Sequence, residues 1–278
     1  MRLFALWLGL LSAVFHLSAH AADRPLIFGV FPHLTARQTA EIYRPLADAM
    51  EKRLQRRVLI YSARDYTTFV ARTRQGEYDI LLTAPHLAWL ARQETGYRPL
   101  LKYSQPAHGL LVVKAGSPFR SPGDLRGRTI ATADAIAVAV LALQADLAAH
   151  GLQRNSDYRT VDSGTHTNTM MQVISGHADA AIVGSHPYKL ASDDTRRQLR
   201  ILIETPPLSS LMYLTHPRLR DHEARAIHKA LIDFEATPEG QAFMLRGGYG
   251  GFVAVDGSEL HAFRPYALQA QEMLRETR

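Results

Sequence analysis

Two similar α/β lobes, facing each other across a cleft and joined by a hinge of two crossing segments, make up the fold class this sequence predicts. Three observations lead there. Strand, helix and strand patterns alternate along most of the chain, as in mostly parallel sheets covered by helices. An internal repeat places Gly76-Glu-Tyr-Asp79-Ile-Leu-Leu-Thr83-Ala84-Pro85-His86 in line with Gly176-His-Ala-Asp179-Ala-Ala-Ile-Val-Gly184-Ser185-His186, with the same spacing from Gly to Asp to His. Two interruptions, Ala115–Gly123 and Pro206-Pro207, read as crossings between lobes. They divide the chain into a discontinuous first lobe (22–115 and 206–278) and a continuous second lobe (116–205), and closely spaced crossings act as a hinge.

The elements follow in order. Leu26–Phe31 is a short apolar strand ended by Pro32, and Thr35 is placed to cap the next helix. There Ile42, Leu46, Met50 and Leu54 repeat at four-residue spacing, and Pro45 is expected to kink or split the helix. Val58–Tyr61 is a strand, Tyr66–Arg74 a helix stopped by Gly76, and Tyr78–Leu82 a buried strand. Pro85 suits the first position of a helix that Gly96 ends. Leu110–Val113 and Arg128–Thr132 are strands, and Asp134 reads as the N-cap of an Ala/Leu helix ending before Gly151. Tyr158–Val161 and Ile201–Ile203 are strands, and Leu211–Leu214 rejoins the first lobe. Helices follow at Glu223–Phe234, Thr237–Leu245 and Tyr266–Leu274.

Residues 1–21 stand apart. Arg2 precedes an apolar run, Leu3–Leu17, too short to cross a bilayer, and Ala19-His20-Ala21 fits a small-x-small cleavage site. The expectation is export, with a mature chain beginning near Ala22. No cysteine is present, which excludes disulfides, thiolate metal sites and a cysteine nucleophile. The formal net charge is +6, spread along the chain without the basic stripe and interleaved aromatics of a nucleic-acid reader.

The chemistry concentrates between Val161 and Lys189. Two histidine-bearing turns, Gly164-Thr165-His166 and Gly184-Ser185-His186, fall where strands end and helices begin. In an open α/β sheet that edge binds ligands, because free backbone N–H groups and the positive helix end point to it. His166 reads as a cationic donor to an anion or as a neutral helix-start residue. The other candidate donors are Thr83 with the amides around His86, Thr165 with Thr167, and Ser185. Asp134 either caps its helix or faces the cleft, where it would repel a fully ionised anion yet accept a bond from a protonated oxyanion or an ammonium group. Micromolar capture needs about 8 kcal/mol net, against roughly 1.5–3 kcal/mol for one charge-assisted bond, so at least three donors must converge.

An enzyme is not expected: Gly-x-Ser-x-Gly and His-Glu-x-x-His are absent, and no carboxylate pair stands out. The thirteen histidines show no recognisable i, i+4 metal-site pair, so neither a metal nor a cofactor is expected. Gly247–Gly251 lacks the lysine of a phosphate loop and reads as a flexible turn.

Phe28-Gly-Val-Phe-Pro32, Tyr43-Arg-Pro45-Leu46, Asp65-Tyr66, Tyr78-Asp79-Ile80 with Ala84-Pro85, Ser117-Pro118 with Asp124-Leu-Arg-Gly127, Gly164-Thr-His166 and Gly176-His-Ala-Asp179 occur in this order. The order resembles the phosphate/phosphite/phosphonate-type substrate-binding proteins of ABC importers, over nearly all of the chain after the leader. The resemblance implies a type II periplasmic binding-protein fold and a periplasmic monomer. It also implies capture of a small oxyanion and delivery to a membrane permease, without catalysis. The alternative on the same fold is the ligand-binding input of a membrane sensor kinase. The ligand-binding positions the resemblance implies are Tyr66, the Thr83-Ala84-Pro85-His86 turn, His108 near the first crossing, and His166; Thr165, Thr167, Ser185, Asp134 and Ala135 complete the candidate set from the residues themselves. The family's Ser-Thr-Ser helix start is replaced here by Thr132-Ala-Asp134-Ala135-Ile136, which loses two hydroxyls and gains a carboxylate.

Overall fold

The computed structural model describes residues 24–276. The expected leader, residues 1–21, and its expected cleavage site lie outside them.

The chain runs β1 (Leu26–Val30), α1 (Ala36–Leu54), β2 (Val58–Tyr61), α2 (Tyr66–Arg74), β3 (Ile80–Thr83), α3 (Pro85–Thr95) and β4 (Arg98–Tyr103). It continues with β5 (Gly109–Lys114), a single 3₁₀ turn (Pro122–Leu125), β6 (Thr129–Thr132), α4 (Val138–Ala149), β7 (Arg159–Asp162), α5 (His166–Ile174), β8 (Ala180–Gly184), α6 (Ser185–Leu190), α7 (Asp193–Arg197) and β9 (Leu199–Glu204). The last part is β10 (Met212–Thr215), α8 (Asp221–Glu235), α9 (Pro238–Gly247), β11 (Phe252–Val253), α10 (Gly257–Ala262) and α11 (Arg264–Glu276).

Two sheets result, β11-β4-β10-β3-β1-β2 and β7-β6-β8-β5-β9. In each, three parallel strands lie together (β2-β1-β3 and β7-β6-β8), flanked by antiparallel partners. The connections diverge between β1 and β3 in one sheet and between β6 and β8 in the other. Such switch points open a crevice at the carboxyl ends of the strands.

The internal repeat has a structural cause. Asp79 accepts the Ile27 amide at 2.8 Å, and Asp179 accepts the Thr129 amide at 2.9 Å, so each aspartate pins its strand to the parallel neighbour. Gly76 and Gly176 lie just past the ends of α2 and α5 at φ +70 and +79, where a side chain would be strained. Buried Asp79 also holds Arg24 (2.6 Å) and Arg218 (2.7 Å); burial pushes its carboxyl up, but the bonds from Arg24, the Ile27 amide and Arg218 leave it below the ordinary value.

The first crossing differs from the expectation. β5 pairs with β8 and β9 and therefore belongs to the second sheet, so the chain changes lobes at 104–108 and not at 115. The Gly/Pro/Ser-rich stretch at 115–123 is instead a surface connection within the second lobe, because such composition marks turns wherever they occur. The return runs through 205–211, and the two crossings bond each other: the Ala107 amide to the Leu208 carbonyl at 2.9 Å and the reverse at 2.8 Å. Strand β4, unassigned from the sequence, carries Pro99 and lies beside the short β11.

Pro45 does not split α1, which runs unbroken for 19 residues. The Glu41 carbonyl that loses its partner belongs to an exposed residue, where solvent takes the bond. Its buried face is Thr39, Tyr43, Leu46, Ala47 and Met50, while Ile42 and Leu54 lie at the margin.

Candidate ligand-binding cleft

The carboxyl edges of the two parallel strand sets face each other, and the residues between them come from six helix starts. From the first lobe come His33, ahead of α1, Tyr66 at the start of α2, and the Ala84-Pro85-His86 start of α3. From the second come the Asp134–Ile136 turn ahead of α4, the Ser163–His166 turn at α5, and Ser185 and His186 at α6.

Hydrogen bonds join the lobes at several points. His86 Nε2–H donates to the Ile136 carbonyl at 2.8 Å, and Thr167 Oγ1 donates to Gln38 Oε1 at 3.0 Å. The His166 amide reaches the His33 carbonyl at 3.4 Å, and His186 Nδ1–H donates to the Gly247 carbonyl at 3.2 Å. His86 and His186 are equivalent positions of the internal repeat, and each reaches the opposite lobe.

These contacts assign the imidazole protons. A carbonyl only accepts, so His86 carries its proton on Nε2; its Nδ1 is a buried acceptor without a partner. His186 donates from Nδ1 and accepts the Ser210 hydroxyl at Nε2 (2.8 Å), so both of its nitrogens are used in closing the hinge. His166 Nδ1 accepts the Gly184 amide at 3.4 Å, which leaves Nε2–H as a donor. His33 donates from Nδ1 to the Phe31 carbonyl (2.9 Å) and meets the Tyr43 hydroxyl at 3.4 Å.

All four histidines are at most 5% exposed, and burial holds His33, His86 and His186 to about 4 and His166 to about 3. Of the two readings of His166 this favours the neutral imidazole: burial at a lobe interface disfavours the charged form, and His33 nearby adds to the effect.

Asp134 does not cap α4, whose N-cap is Ala137 without a side-chain bond. Its carboxylate accepts the Ile136 amide at 3.0 Å and lies near the backbone of Tyr66 across the cleft. Burial, with Asp162 and Asp65 nearby, pushes its carboxyl up to about 6 against those two backbone contacts. The Tyr66 hydroxyl beside it is 1% exposed and unbonded.

Other candidates sit elsewhere. Thr83 forms part of the wall of a small pocket between α2 and α3, with Phe69, Val70 and Leu87, and its hydroxyl has no partner. Ala84 is an N-cap that supplies no side-chain bond, and Pro85 has no amide, so α3 starts with the His86 amide uncapped by any side chain. Thr165 is committed to capping Asn168 at 3.2 Å, and Thr167 to Gln38. Ser185 Oγ accepts the His108 amide at 3.0 Å, while His108 Nδ1 lies 3.0 Å from the Thr205 carbonyl and 3.1 Å from Glu204 Oε1. Thr167, Ser185 and His108 thus hold lobes and hinge together in this structure and are not free donors. Ala135 is half-buried in the turn beside Asp134.

Three contributors escaped the sequence reading. His33 and Gln38 carry no motif, and only the fold brings them to α5. Ser163, with a buried and unpartnered hydroxyl, begins the Ser-Gly-Thr-His turn and was legible there. No metal-binding cluster of three or more His, Asp or Glu occurs among the described residues.

Two α/β lobes on a double crossing, with unpaired polar groups facing across the cleft, define a two-lobe binding protein of the type II periplasmic class. Residues 28–260 match the family model of the ABC transporter, phosphonate, periplasmic substrate-binding protein, and the chain belongs to that family. Its fold is similar to a binding protein component of an ABC phosphonate transporter from Pseudomonas aeruginosa (TM-score 0.79, 18% identity, 90% of this chain and 87% of that one). It is also similar to PhnD1 from Prochlorococcus marinus in complex with methylphosphonate (TM-score 0.80, 13% identity, 88% and 98%). A third likeness is to a Xanthomonas citri protein bound to ATP (TM-score 0.67, 20% identity, 90% and 98%). At these identities the likeness is one of fold. Membership carries a small-molecule ligand, a periplasmic setting and a membrane permease as partner, and it supports import over the sensor-kinase reading.

Proposed function

We propose that this chain captures a small phosphonate- or phosphate-class oxyanion between its lobes and releases it to an ABC permease, as a monomer and without turnover. The observation that carries the reading is the pair of buried, unbonded groups at the starts of α2 and α3, Tyr66 Oη and His86 Nδ1. Native interiors leave few such atoms unpaired, and each costs about 1–3 kcal/mol when left so. A ligand bonded to them and to His166 Nε2–H would remove that cost. The donors of this set are neutral: Tyr66 Oη–H, His166 Nε2–H, Ser163 Oγ–H and the His86 amide. Cleavage of the leader near Ala21 belongs to the same reading.

Calorimetry against phosphate, phosphite and methylphosphonate, with His166→Ala beside the wild type, tests it. The expected result is binding of at least one of them, weakened about tenfold or more in the variant. Absence of binding to all three refutes the ligand class.

A further inference from the structure

Resting on that reading, we propose that Asp134 makes the cleft selective for a ligand bringing a hydrogen-bond donor of its own, a partially protonated oxyanion, and excludes fully deprotonated anions of similar size.

The position of the carboxylate is the first support. The Asp134–Ile136 turn of the second lobe is seated between two helix starts of the first, with the Asp134 carboxylate near the Tyr66 backbone and the Ile136 carbonyl at His86 Nε2–H. It thus lies at the seam between the lobes, beside the starts of α2 and α3.

The second support is independent. Because His86 spends its proton on Ile136, its unpartnered Nδ1 is also an acceptor. Of the polar groups contributed to this seam, Asp134 and His86 Nδ1 are acceptors, while Tyr66 Oη–H and His166 Nε2–H are donors. A fully ionised oxyanion accepts only; against the Asp134 carboxylate it would set acceptor on acceptor with like charges. An anion with one P–O–H satisfies both kinds of partner.

No arginine or lysine offsets this: among the described residues Asp134 forms no salt bridge. The titratable groups facing it are Asp65 at the start of α2, Tyr66 beside it and Asp162 at the end of β7, and both aspartates add negative charge. Its upward shift, to about 6, leaves it ionised, and so an acceptor, above about pH 7.

Calorimetry of the purified protein with methylphosphonate and with sulfate, from about pH 5.5 to about pH 8.5, provides the test. Wild type is expected to bind methylphosphonate with an affinity that falls about tenfold per pH unit above the ligand's second ionisation, one proton being required in the complex. Sulfate should not bind above about pH 7, where the Asp134 carboxylate is ionised. Asp134→Asn, which offers an amide donor at the same place, is expected to flatten that slope and admit sulfate. Asp134→Ser should do the same, and a thermal melt establishes that each variant is folded.

A wild-type affinity independent of pH over this range, or a folded variant that still rejects sulfate with the slope intact, overturns the inference while leaving oxyanion capture standing. Wild type that binds neither probe at any pH, nor phosphate or phosphite, overturns the oxyanion reading and this inference with it.

Discussion

His86 in the first lobe donates its Nε2 proton to the Ile136 carbonyl in the second across 2.8 Å. One bond therefore bridges the cleft and determines which face of the imidazole a ligand meets. His86→Phe fills similar space but leaves the Ile136 carbonyl without its donor, a loss of about 1–3 kcal/mol from the closed arrangement. The expected outcome is about tenfold or more weaker ligand binding, with a larger radius of gyration in solution scattering. Unchanged affinity and radius would show that the bond does not hold the lobes together.

Acid should open or unfold this protein. Burial lowers His33, His86 and His186 to about 4 and His166 to about 3, so the folded state binds fewer protons than the unfolded state. Stability is therefore full above the unfolded value of about 6.5 and falls as pH drops toward 4, by up to roughly 3 kcal/mol per histidine. Asp134, raised to about 6, works the other way in that window and offsets one of the four. Melting temperatures at half-unit pH steps should fall steeply below about pH 6.5. A flat profile down to pH 4 would contradict the burial of these rings.

Asp79 and Asp179 perform the same strand-pinning task with different stakes. Asp79 also holds two arginines, whereas Asp179 lies 3.8 Å from Arg128 and is partly exposed. Asp79→Ala is expected to cost about 3 kcal/mol, since it removes the buried acceptor of the Ile27 amide and of two part-exposed arginines, and Asp179→Ala about 1 kcal/mol. Denaturant midpoints compare them directly; equal losses would mean that the arginines contribute nothing.

Gly29 in β1 lies under the ring of Tyr78, and a Cβ there would sit 2.6 Å from Tyr78 Cδ1. Tyr78 is itself fully buried, stacked 5.0 Å from Phe69. Gly29→Ala should destabilise the protein by about 1–3 kcal/mol through overpacking, read from the same midpoints.

The sequence by itself determined the alternation of strands and helices, because burial at period 2 or 3.6 and the Gly, Pro and Asp punctuation are local properties. It also determined the Gly–Asp–His repeat, which proves to be one strand-pinning unit used once in each sheet, and the helix starts that face the cleft. Only the tertiary structure decided which sheet β5 joins, since strand pairing is a long-range choice that turn composition does not encode. It likewise decided what each polar side chain does. Thr167, Ser185 and His108 are spent on Gln38, the hinge and one another; His86 is an acceptor toward the cleft; and His166 is neutral. Protonation state and free hydrogen-bonding capacity depend on what the folded chain brings within about 3 Å, and residues far apart in sequence supply it.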